Sequence, residues 1–419
     1  MTRLISATAV ATISLALLPA FAAAAGDLRF VSGQEKQNGA VLKQIFDTYN
    51  GTKPASSVKL ELDNKSDLDT TQKVLADIVA GTTPDAVRVT GAVLRPYVDS
   101  GRAQPLDDCL ASAPELAAQL DKGLLDDFRV NGKLYAMPWY VTLPALFINT
   151  DAFKAAGLDP ANPPKNWTEL EAAAAKLSDK ANNKFGVLMY MPNTYMFEGQ
   201  LASAGGAMVG ADGKSGVGNA AGVEVMSYMR GLVEKGYMPA VSPGTFWGEA
   251  GRMFQAGEVA MLLSSSSGYT SLVPKASFKV ALAPMPAKDG ATPVTMASAN
   301  GFVMLATDPA RKEATCKALL SLVTPESVAL TVKATASSPV NVTTVAKPEL
   351  LGDFYAQNPE LKVLNTQKSQ NWYTLPGKAN NEFQSNFGDT QYEILTGATS
   401  AQDGMKRLAG IMDDLNGAK

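Results

Sequence analysis

The sequence predicts an α/β fold, because segments with the pattern of strands alternate with segments that have the periodicity of helices. Residues 28–32, 58–62 and 85–89 are short and largely apolar, as is typical of strands. Between them, residues 39–50 and 70–80 place their apolar side chains on one helical face. This β-α-β-α-β order predicts a mostly parallel sheet covered by helices, in which ligands are favoured at the carboxyl ends of the strands.

A second α/β series follows the first, so we expect two domains. Residues 145–149 read as a strand and residues 151–156 as a short helix, and a capping box from Thr168 to Glu171 opens a further helix. Residues 254–263 change from the end of a helix to a buried strand, and the C-terminal segment is helical. Because no low-complexity linker separates the two series, we expect the chain to cross between the domains more than once.

The amino-acid composition excludes several classes of enzyme and binding protein. The 419 residues are 46% hydrophobic and 18% charged, which suits a globular protein of two domains. The formal charge of -3 leaves no basic surplus for a nucleic-acid backbone. With no histidine and only two cysteines, the chain has no Ser-His-Asp triad, no imidazole ligand and no Cys-rich zinc site. We therefore expect no metal, no cofactor and no nucleic-acid partner.

The first 25 residues are typical of a secretory signal peptide. Arg3 supplies a positive start, residues 4–18 are apolar or small, and Pro19 leads into a run of small residues that ends at Ala25. This pattern predicts cleavage after Ala25 and a soluble, exported protein in the periplasm. An uncleaved membrane anchor is the alternative, but the apolar stretch is short and rich in Ala, Thr and Ser for a membrane span.

Six blocks of the sequence resemble family 1 of the extracellular solute-binding proteins, the periplasmic receptors of ABC importers. They occur in the family's order and extend over most of the chain: 134–138, 146–149, 151–160, 164–170, 255–261 and 275–286. Within the family, the sequence is most similar to the members that bind glycerol 3-phosphate and carbohydrates. The resemblance implies a monomeric protein that captures a small solute without catalysis and delivers it to the permease subunits of an ABC transporter.

The same resemblance implies a two-lobed type II periplasmic binding protein fold, in which each lobe is a mixed sheet flanked by helices. The first lobe would hold residues 27–138 and 283–327, and the second residues 142–278 and 330–419. The lobes would close on the ligand by a hinge motion.

Aromatic and hydroxyl side chains are the groups expected to bind a sugar or a polyol, which offers ring C–H faces and many hydroxyls. In members of the family, the segment at residues 138–142 crosses between the lobes and lines the cleft. We therefore expect Trp139 and Tyr140 to be flat platforms and Thr142 to be a hydrogen-bond partner. The alternative for Trp139 is an ordinary core aromatic.

Polar residues that follow strands are further candidates, because loops at strand ends meet ligands. Gln34 and Glu35 follow the first strand, where a surface helix cap is the alternative, and Thr90 follows the third. A serine turn follows the buried strand near residue 263, and its hydroxyls and backbone N–H groups would face the cleft or simply cap a helix. The candidates of this turn are Ser265, Ser266, Ser267 and Tyr269.

The resemblance adds candidates from the crossing segments and from the second lobe. Asn300, Gly301 and Ser337 lie where the family brings crossing segments past the ligand. Tyr195 and Glu198 begin a helix that lines the cleft in the family. Trp372 lies in an irregular stretch before the last helices, where it would either cap the pocket or form a surface latch.

One departure from the family bears on the charge of the ligand. Near Lys378 there is no arginine where the glycerol-3-phosphate receptors place one, and the positions of their tyrosine and glutamate read Asp67 and Gly91. Recognition of a phosphate usually requires a bidentate arginine, so a neutral saccharide or polyol is the leading expectation. A glycerophosphodiester, bound through Lys378 and the serine turn, is the alternative, as is glycerol 3-phosphate itself.

A different class of function remains open from composition alone. An exported carbohydrate-active enzyme would use two carboxylates that flank the sugar, and acidic residues are abundant in this chain. The family blocks favour capture without turnover.

The two cysteines are Cys109 and Cys316. In the family's layout both belong to the first lobe, and the periplasm is oxidising. The sequence leaves open whether they are bridged, because a disulfide requires Cα atoms about 4.4–6.8 Å apart.

Overall fold

The computed structural model describes residues 26–375 and 378–417, so the expected signal peptide at residues 1–25 lies outside the described residues. The described strands, in chain order, are β1 (Leu28–Ser32), β2 (Val58–Leu62), β3 (Ala86–Thr90), β4 (Arg129–Val130), β5 (Lys133–Leu134), β6 (Ala136–Thr142), β7 (Pro144–Asn149), β8 (Phe185–Leu188), β9 (Val259–Ser265), β10 (Val280–Ala283), β11 (Thr295–Met304) and β12 (Ser369–Asn371).

The described α-helices lie between these strands and after them. They are α1 (Glu35–Gly51), α2 (Asp67–Val79), α3 (Arg95–Asp99), α4 (Asp107–Ala111), α5 (Pro114–Ala117), α6 (Lys122–Asp126), α7 (Thr150–Ala155), α8 (Trp167–Leu177), α9 (Thr194–Ser203), α10 (Ala220–Glu234), α11 (Phe246–Gln255), α12 (Tyr269–Leu272), α13 (Pro309–Ser321), α14 (Pro325–Thr335), α15 (Asp353–Gln357), α16 (Lys378–Thr396) and α17 (Ala401–Asn416).

The first lobe is built on the parallel strands that the sequence predicts. β1 pairs with β2 and with β3 in parallel, and β3 pairs with β11 in the antiparallel direction. β11 also pairs with β6 and, through its first three residues, with β12. Phe30 of β1, Phe46 of α1 and Phe302 of β11 form one aromatic cluster, with ring centroids 5.2 to 6.4 Å apart. The apolar face of α1 therefore covers this sheet.

The second lobe has its own four-stranded sheet in the order β10-β7-β9-β8. β7 is antiparallel to both β9 and β10, whereas β8 and β9 are parallel. All six residues of β7 are buried, and Phe147 packs against Phe254 of α11 with centroids 6.3 Å apart. A sheet covered on both faces requires such a continuous apolar strand.

Three segments carry the chain between the lobes. The first joins β6 to β7 at Leu143, and the second runs through the start of β11. The third follows α14, where the Ser338 N–H donates to the Val141 carbonyl at 2.8 Å. The repeated crossing expected from the absence of a linker is therefore present.

The lobe boundaries differ from the expectation in one helix. The family resemblance implies that residues 330–419 belong to the second lobe, but α14 packs on α1 and β6 of the first lobe. Its Thr331 hydroxyl accepts a hydrogen bond from the Trp139 indole N–H at 3.0 Å. In contrast, α16 and α17 pack against α10 of the second lobe.

Local side-chain bonds explain where two elements begin or are fixed. α8 starts at Trp167 because the Asn166 side chain accepts from the Glu169 N–H at 2.9 Å, so the cap is Asn166 and not the expected Thr168. Cys109 of α4 and Cys316 of α13 form a disulfide with their Cα atoms 5.6 Å apart. This bond ties two helices of the first lobe together.

None of the described helices is long and apolar enough to cross a membrane.

Candidate functional site

The crossing strand β6 presents different residues on its two faces. Successive side chains of a strand point to opposite faces, so Tyr140 and Thr142 lie on one face and Val141 on the other. The Tyr140 hydroxyl accepts a hydrogen bond from Asn38 Nδ2 at 3.0 Å, whereas Val141 lines a separate cavity. We call the Tyr140 face the front and the Val141 face the rear.

The first-lobe wall of the front is a buried polar cluster around Arg88. This residue lies within β3, and its side chain is only 1% exposed. Its Nη1 contacts Asp67 Oδ1 at 2.5 Å, and its Nη2 donates to the Asn300 side-chain oxygen. Nη2 also lies 3.4 Å from the Tyr140 hydroxyl and 3.5 Å from Gln34 Oε1.

Charge pairing keeps this arginine ionised despite its burial. Burial lowers the pKa of Arg88, but the Asp67 carboxylate and the Tyr140 hydroxyl raise it by more, so that its pKa lies above the ordinary value. Gln34, which begins α1, has the left-handed backbone angle φ of 58°. Such a conformation is costly for a residue other than glycine and is common at functional sites.

The second-lobe wall of the front is the serine turn that follows β9. The Ser266 N–H donates to the Leu143 carbonyl at 2.8 Å, and the Ser266 hydroxyl accepts from the Leu143 N–H at 3.3 Å. Because Ser266 is fully buried by these bonds, it fixes the turn to the first crossing segment. Ser265 and Ser267, whose hydroxyls are 3.1 Å apart, remain partly accessible.

A groove of about 560 Å³, which we call the front groove, lies against this turn and receives residues from both lobes. Lys36 of α1 is its first-lobe contribution, and Ser264, Ser265 and Ser267 contribute hydroxyls from the second lobe. Trp247 of α11 also lines the groove and is 62% exposed. The groove thus offers an aromatic face, several hydroxyls and one ammonium group.

A second cavity, of about 320 Å³, lies on the rear and is lined by all three crossing segments through Val141, Ala297 and Ser338. We call it the rear cavity. Asp121 and Asp127 place carboxylates in it, and its described lining residues include no Lys or Arg. Its chemical character is therefore opposite to that of the front groove.

Asp127 is the most perturbed group of the rear cavity. Burial raises its pKa to about 7, and a hydrogen bond with Asn371 lowers it by less. Its Oδ2 is buried and has no hydrogen-bond partner among the described residues. A smaller cavity of about 80 Å³ adjoins it and is lined by Thr90, Gly91 and Trp372.

Helix α9 holds the segment before the last helices in place. Both carboxylate oxygens of Glu198 accept from the Tyr373 N–H, at 3.0 and 3.1 Å, and burial raises the pKa of Glu198 to about 8. The Trp372 indole N–H donates to the Thr194 hydroxyl at 2.9 Å, and its ring packs on Tyr195. Glu198 and Tyr195 therefore hold residues 372 and 373 in place and do not line the front groove.

The expectation that Trp139 is a ligand platform is corrected by its position. The side chain is 0% exposed, packs on Tyr140 and Phe302, and donates its indole N–H to Thr331 of α14. A ring with no free face cannot stack on a solute. Trp139 is a core residue, as the alternative reading stated.

Other expected residues are also placed away from the front groove. Gly301 is buried in β11, where a Cβ atom would meet the Met137 carbonyl at 2.6 Å. Ser337 is buried and accepts from the Thr335 hydroxyl at 2.8 Å. The Tyr269 hydroxyl donates to Asn358 and Glu360.

The remaining candidates lie at or near the crossing strands. Gln34, Tyr140 and Asn300 contact Arg88, Thr142 is buried at the end of β6, and Glu35 is exposed at the start of α1 beside Lys36. Thr90, which pairs with Asn300, and Trp372 line the small cavity that adjoins Asp127. The Lys378 side chain lies outside the described residues.

Sequence reasoning missed three residues that now define the two faces. Arg88 is a charged residue within a strand that is otherwise apolar, and this departure from the pattern was the available signal. Trp247 lies in the first turn of the amphipathic helix α11, and helical periodicity alone does not predict that it lines a groove. Asp127 follows Asp126, and two adjacent acidic residues are typical of a solvated face, so burial of one of them cannot be seen in sequence.

The described residues contain no group of three or more His, Cys, Asp or Glu side chains placed to hold a metal ion. Two sheet-based lobes joined by three crossing segments, with cavities that receive residues from both lobes, are the architecture of a two-lobed binding protein of small solutes. Residues 32–324 match the family described as bacterial extracellular solute-binding proteins. The chain belongs to this family.

Curated relatives agree with this assignment. A binding protein of Brucella abortus is 24% identical over 250 residues, which are 59% of this chain and 59% of the relative. The match thus spans about three fifths of that relative's length. The sn-glycerol-3-phosphate-binding periplasmic protein UgpB of Pectobacterium atrosepticum is 25% identical over 382 residues, 86% of this chain and 83% of the relative.

Solved structures show the type II periplasmic binding protein fold. UgpB of Mycobacterium tuberculosis in complex with glycerophosphocholine has a TM-score of 0.80 at 21% identity, covering 93% of this chain and 99% of that one. The GacH receptor of Streptomyces glaucescens, solved unliganded and with acarbose, has a TM-score of 0.79 at 19% identity, covering 94% and 99%. The expected two-lobed fold is thereby confirmed.

Proposed function

We propose that this protein is the periplasmic solute receptor of an ABC importer and that it captures a carbohydrate or polyol in the front groove. The observation that carries the proposal is the composition of that groove, where Trp247 and the serine turn of the second lobe face Lys36 of the first. A site built from both lobes couples ligand binding to lobe closure. The closed, monomeric form would then be recognised by the permease subunits.

The chemistry of the groove suits a neutral, hydroxyl-rich solute. A pyranose ring has an apolar face that stacks on an exposed indole such as Trp247. Its hydroxyls can both donate to and accept from the serine hydroxyls of the turn. The acarbose bound by the GacH receptor is a solute of this kind.

Capture without turnover is part of the proposal. A glycosidase needs two carboxylates on opposite sides of the sugar, roughly 5–10 Å apart. Among the described residues that line the front groove there is no Asp or Glu. The groove therefore favours binding over hydrolysis.

A second candidate ligand class is favoured by Lys36. An ammonium group in the groove can pair with the phosphate of a glycerophosphodiester. Relatives of this chain bind glycerol 3-phosphate or glycerophosphocholine according to their names. One lysine without an arginine is a weaker anion clamp than a bidentate site, so this class is second.

A thermal-shift screen of residues 26–419 tests the proposal, since a ligand that binds the native state raises the melting temperature. The panel contains maltotetraose, mannotriose, tagatose, glycerol, glycerol 3-phosphate and glycerophosphocholine, and calorimetry follows each hit. We expect micromolar or tighter binding of a neutral saccharide or polyol, with no product formed on incubation. Product formation would show that the protein is an enzyme and not a receptor. Tight binding of phosphate esters alone would show that glycerophosphodiesters or glycerol 3-phosphate are its ligand class.

A further inference from the structure

Arg88 is a buried cation whose partners all gather at the front. Its side chain is 1% exposed, and burial of an unpaired guanidinium would cost several kcal/mol. The groups that satisfy it come from four other segments, through Gln34, Asp67, Tyr140 and Asn300. Their common position is the carboxyl end of the first-lobe sheet, where ligands of such folds are met.

Asp67 differs from the other partners in two respects. It is the only carboxylate among these four partners. Its side chain is 18% exposed to solvent, whereas that of Arg88 is 1% exposed. The carboxylate therefore lies between the guanidinium and solvent. A carboxylate at 2.5 Å from an arginine nitrogen occupies the position that a phosphate or carboxylate of a bound solute takes on an arginine.

The guanidinium also retains unused donor capacity. Arg88 Nε is buried without a hydrogen-bond partner among the described residues, and the nearby Asn38 Oδ1 is likewise unpartnered. The cluster around Arg88 is therefore not saturated by its present contacts. Of these two atoms only Arg88 Nε is a donor, and its N–H has no acceptor among the described residues, so it can bind an acceptor that enters the cluster.

We propose that the Arg88–Asp67 pair determines the charge selectivity of the front wall, because Asp67 occupies Arg88 as an internal counter-ion and excludes anionic solutes. The proposal rests on the proposed function, in which this wall faces the solute. In the wild-type protein, Arg88 therefore does not take over phosphate binding from the arginine that the glycerol-3-phosphate receptors have near the position of Lys378. Removal of the Asp67 carboxylate would expose an anion site.

The Asp67→Ala variant tests this directly with inorganic phosphate and glycerol 3-phosphate as probes. Melting curves are recorded against probe concentration, with sodium chloride adjusted to hold the ionic strength constant. We expect the melting temperature of Asp67→Ala to rise with probe concentration and to saturate. The probe concentration at half-saturation should be lower than in wild type by a factor of about ten or more. That factor corresponds to one charge-assisted hydrogen bond.

Two controls make the result specific. Asp63→Ala removes a carboxylate from the same loop whose partner is the exposed Lys65, so it should behave as wild type. The double variant Asp67→Ala/Arg88→Met should lose the gain. Asp67→Asn, which keeps an acceptor beside the guanidinium, provides a second single variant with a smaller gain and keeps the test available if the alanine variant does not fold.

Each outcome decides the proposal. It is overturned if folded Asp67 variants gain no phosphate response, if Asp63→Ala gains an equal one, or if the double variant keeps it. It is also overturned if wild type itself binds phosphate as tightly as Asp67→Ala. Because the probes are phosphate and glycerol 3-phosphate, these results do not depend on which neutral solute is found; failure of the whole solute panel would instead count against the proposed function.

Discussion

The front groove and the rear cavity differ in the parts of the fold that line them and in the charge that they offer. The rear cavity is lined by all three crossing segments, whereas the front groove is lined by the second lobe and by Lys36 of the first. The front brings Lys36, the serine turn and the exposed ring of Trp247 together from two lobes. The rear brings two carboxylates, Asp121 and Asp127 at the two ends of α6, next to the crossing segments. The front groove therefore offers a stacking surface, hydroxyls and one ammonium group, whereas the rear cavity offers hydroxyls, amides and two carboxylates.

From this difference we propose that the front groove captures the solute and that the rear cavity belongs to the hinge. A ligand in the front groove would contact loops that approach each other when the lobes rotate. The rear cavity is bounded by the segments about which that rotation must occur. We therefore expect substitutions at the front to change affinity and substitutions at the rear to change stability.

The largest expected effect is on stability, at Trp139, whose ring points away from the front groove. Trp139→Ala removes a fully buried side chain and its hydrogen bond to Thr331, which should lower the free energy of unfolding by about 3–5 kcal/mol. Urea denaturation of the variant and of wild type measures this. An unchanged midpoint of the urea transition, together with loss of ligand binding, would show that Trp139 contacts the ligand.

The second effect is a pH dependence at the rear. The native pKa of Asp127 is about 7, above its unfolded value of about 3.9, so the native state binds the extra proton between these values. Stability is then lost as pH rises from about 4 to 7. Asp127→Asn should remove this loss, leaving the variant about 2–3 kcal/mol more stable than wild type at pH 8 after allowance for partial exposure.

Denaturation at pH 4 and pH 8 checks the Asp127 prediction, with Asp108→Asn as the control because Asp108 is exposed and is not among the charges that act on Asp127. At pH 4 the two proteins should have similar stability. Equal stability of wild type and Asp127→Asn at pH 8 would show that the rear carboxylate is not held in a costly environment.

The third effect is on affinity at the front. Trp247→Ala should weaken binding of the neutral saccharide by about 1–2 kcal/mol, since a stacking face is lost, and should leave the melting temperature of the free protein nearly unchanged because the ring is exposed. Trp247→Phe should recover part of the affinity. Calorimetry of both variants measures it, and full affinity in Trp247→Ala would place the solute elsewhere.

The smallest effect is expected at Lys36. For a neutral solute, Lys36→Ala should change the binding free energy by less than about 1 kcal/mol, and added salt should have little influence. Titrations at low and high ionic strength test both statements. A loss of a hundredfold or more, sensitive to salt, would indicate that the physiological solute carries a negative charge.

The fold was largely predictable because its strands and helices carry their periods locally. The parallel order of β1, β2 and β3 and the buried strand β9 follow from apolar runs bounded by turn residues. The absence of a linker predicts repeated crossing, but the positions of the crossing segments came only from the family resemblance, since local periodicity contains no information about which lobe a strand joins. The placement of α14 on the first lobe escaped prediction for the same reason.

The site was predictable only where sequence position implies spatial position. That rule predicts residues at strand ends, such as Gln34, which contacts Arg88, and Ser265, which lines the front groove. The rule contains no information about which side chains of β6 are buried. Trp139 is therefore expected to be a ligand platform, although its ring lies in the core. Trp247 was missed because exposure of one aromatic on an amphipathic helix depends on tertiary packing.

The most direct test of the account is amide hydrogen exchange with and without the neutral solute that most raises the melting temperature. Solute binding should protect peptides that contain Lys36, Trp247 and the 264–272 turn most strongly. Peptides from the rear, at 121–127 and 338–345, should change less. Protection concentrated at the rear with none at the front would contradict the assignment of the front groove as the capture site.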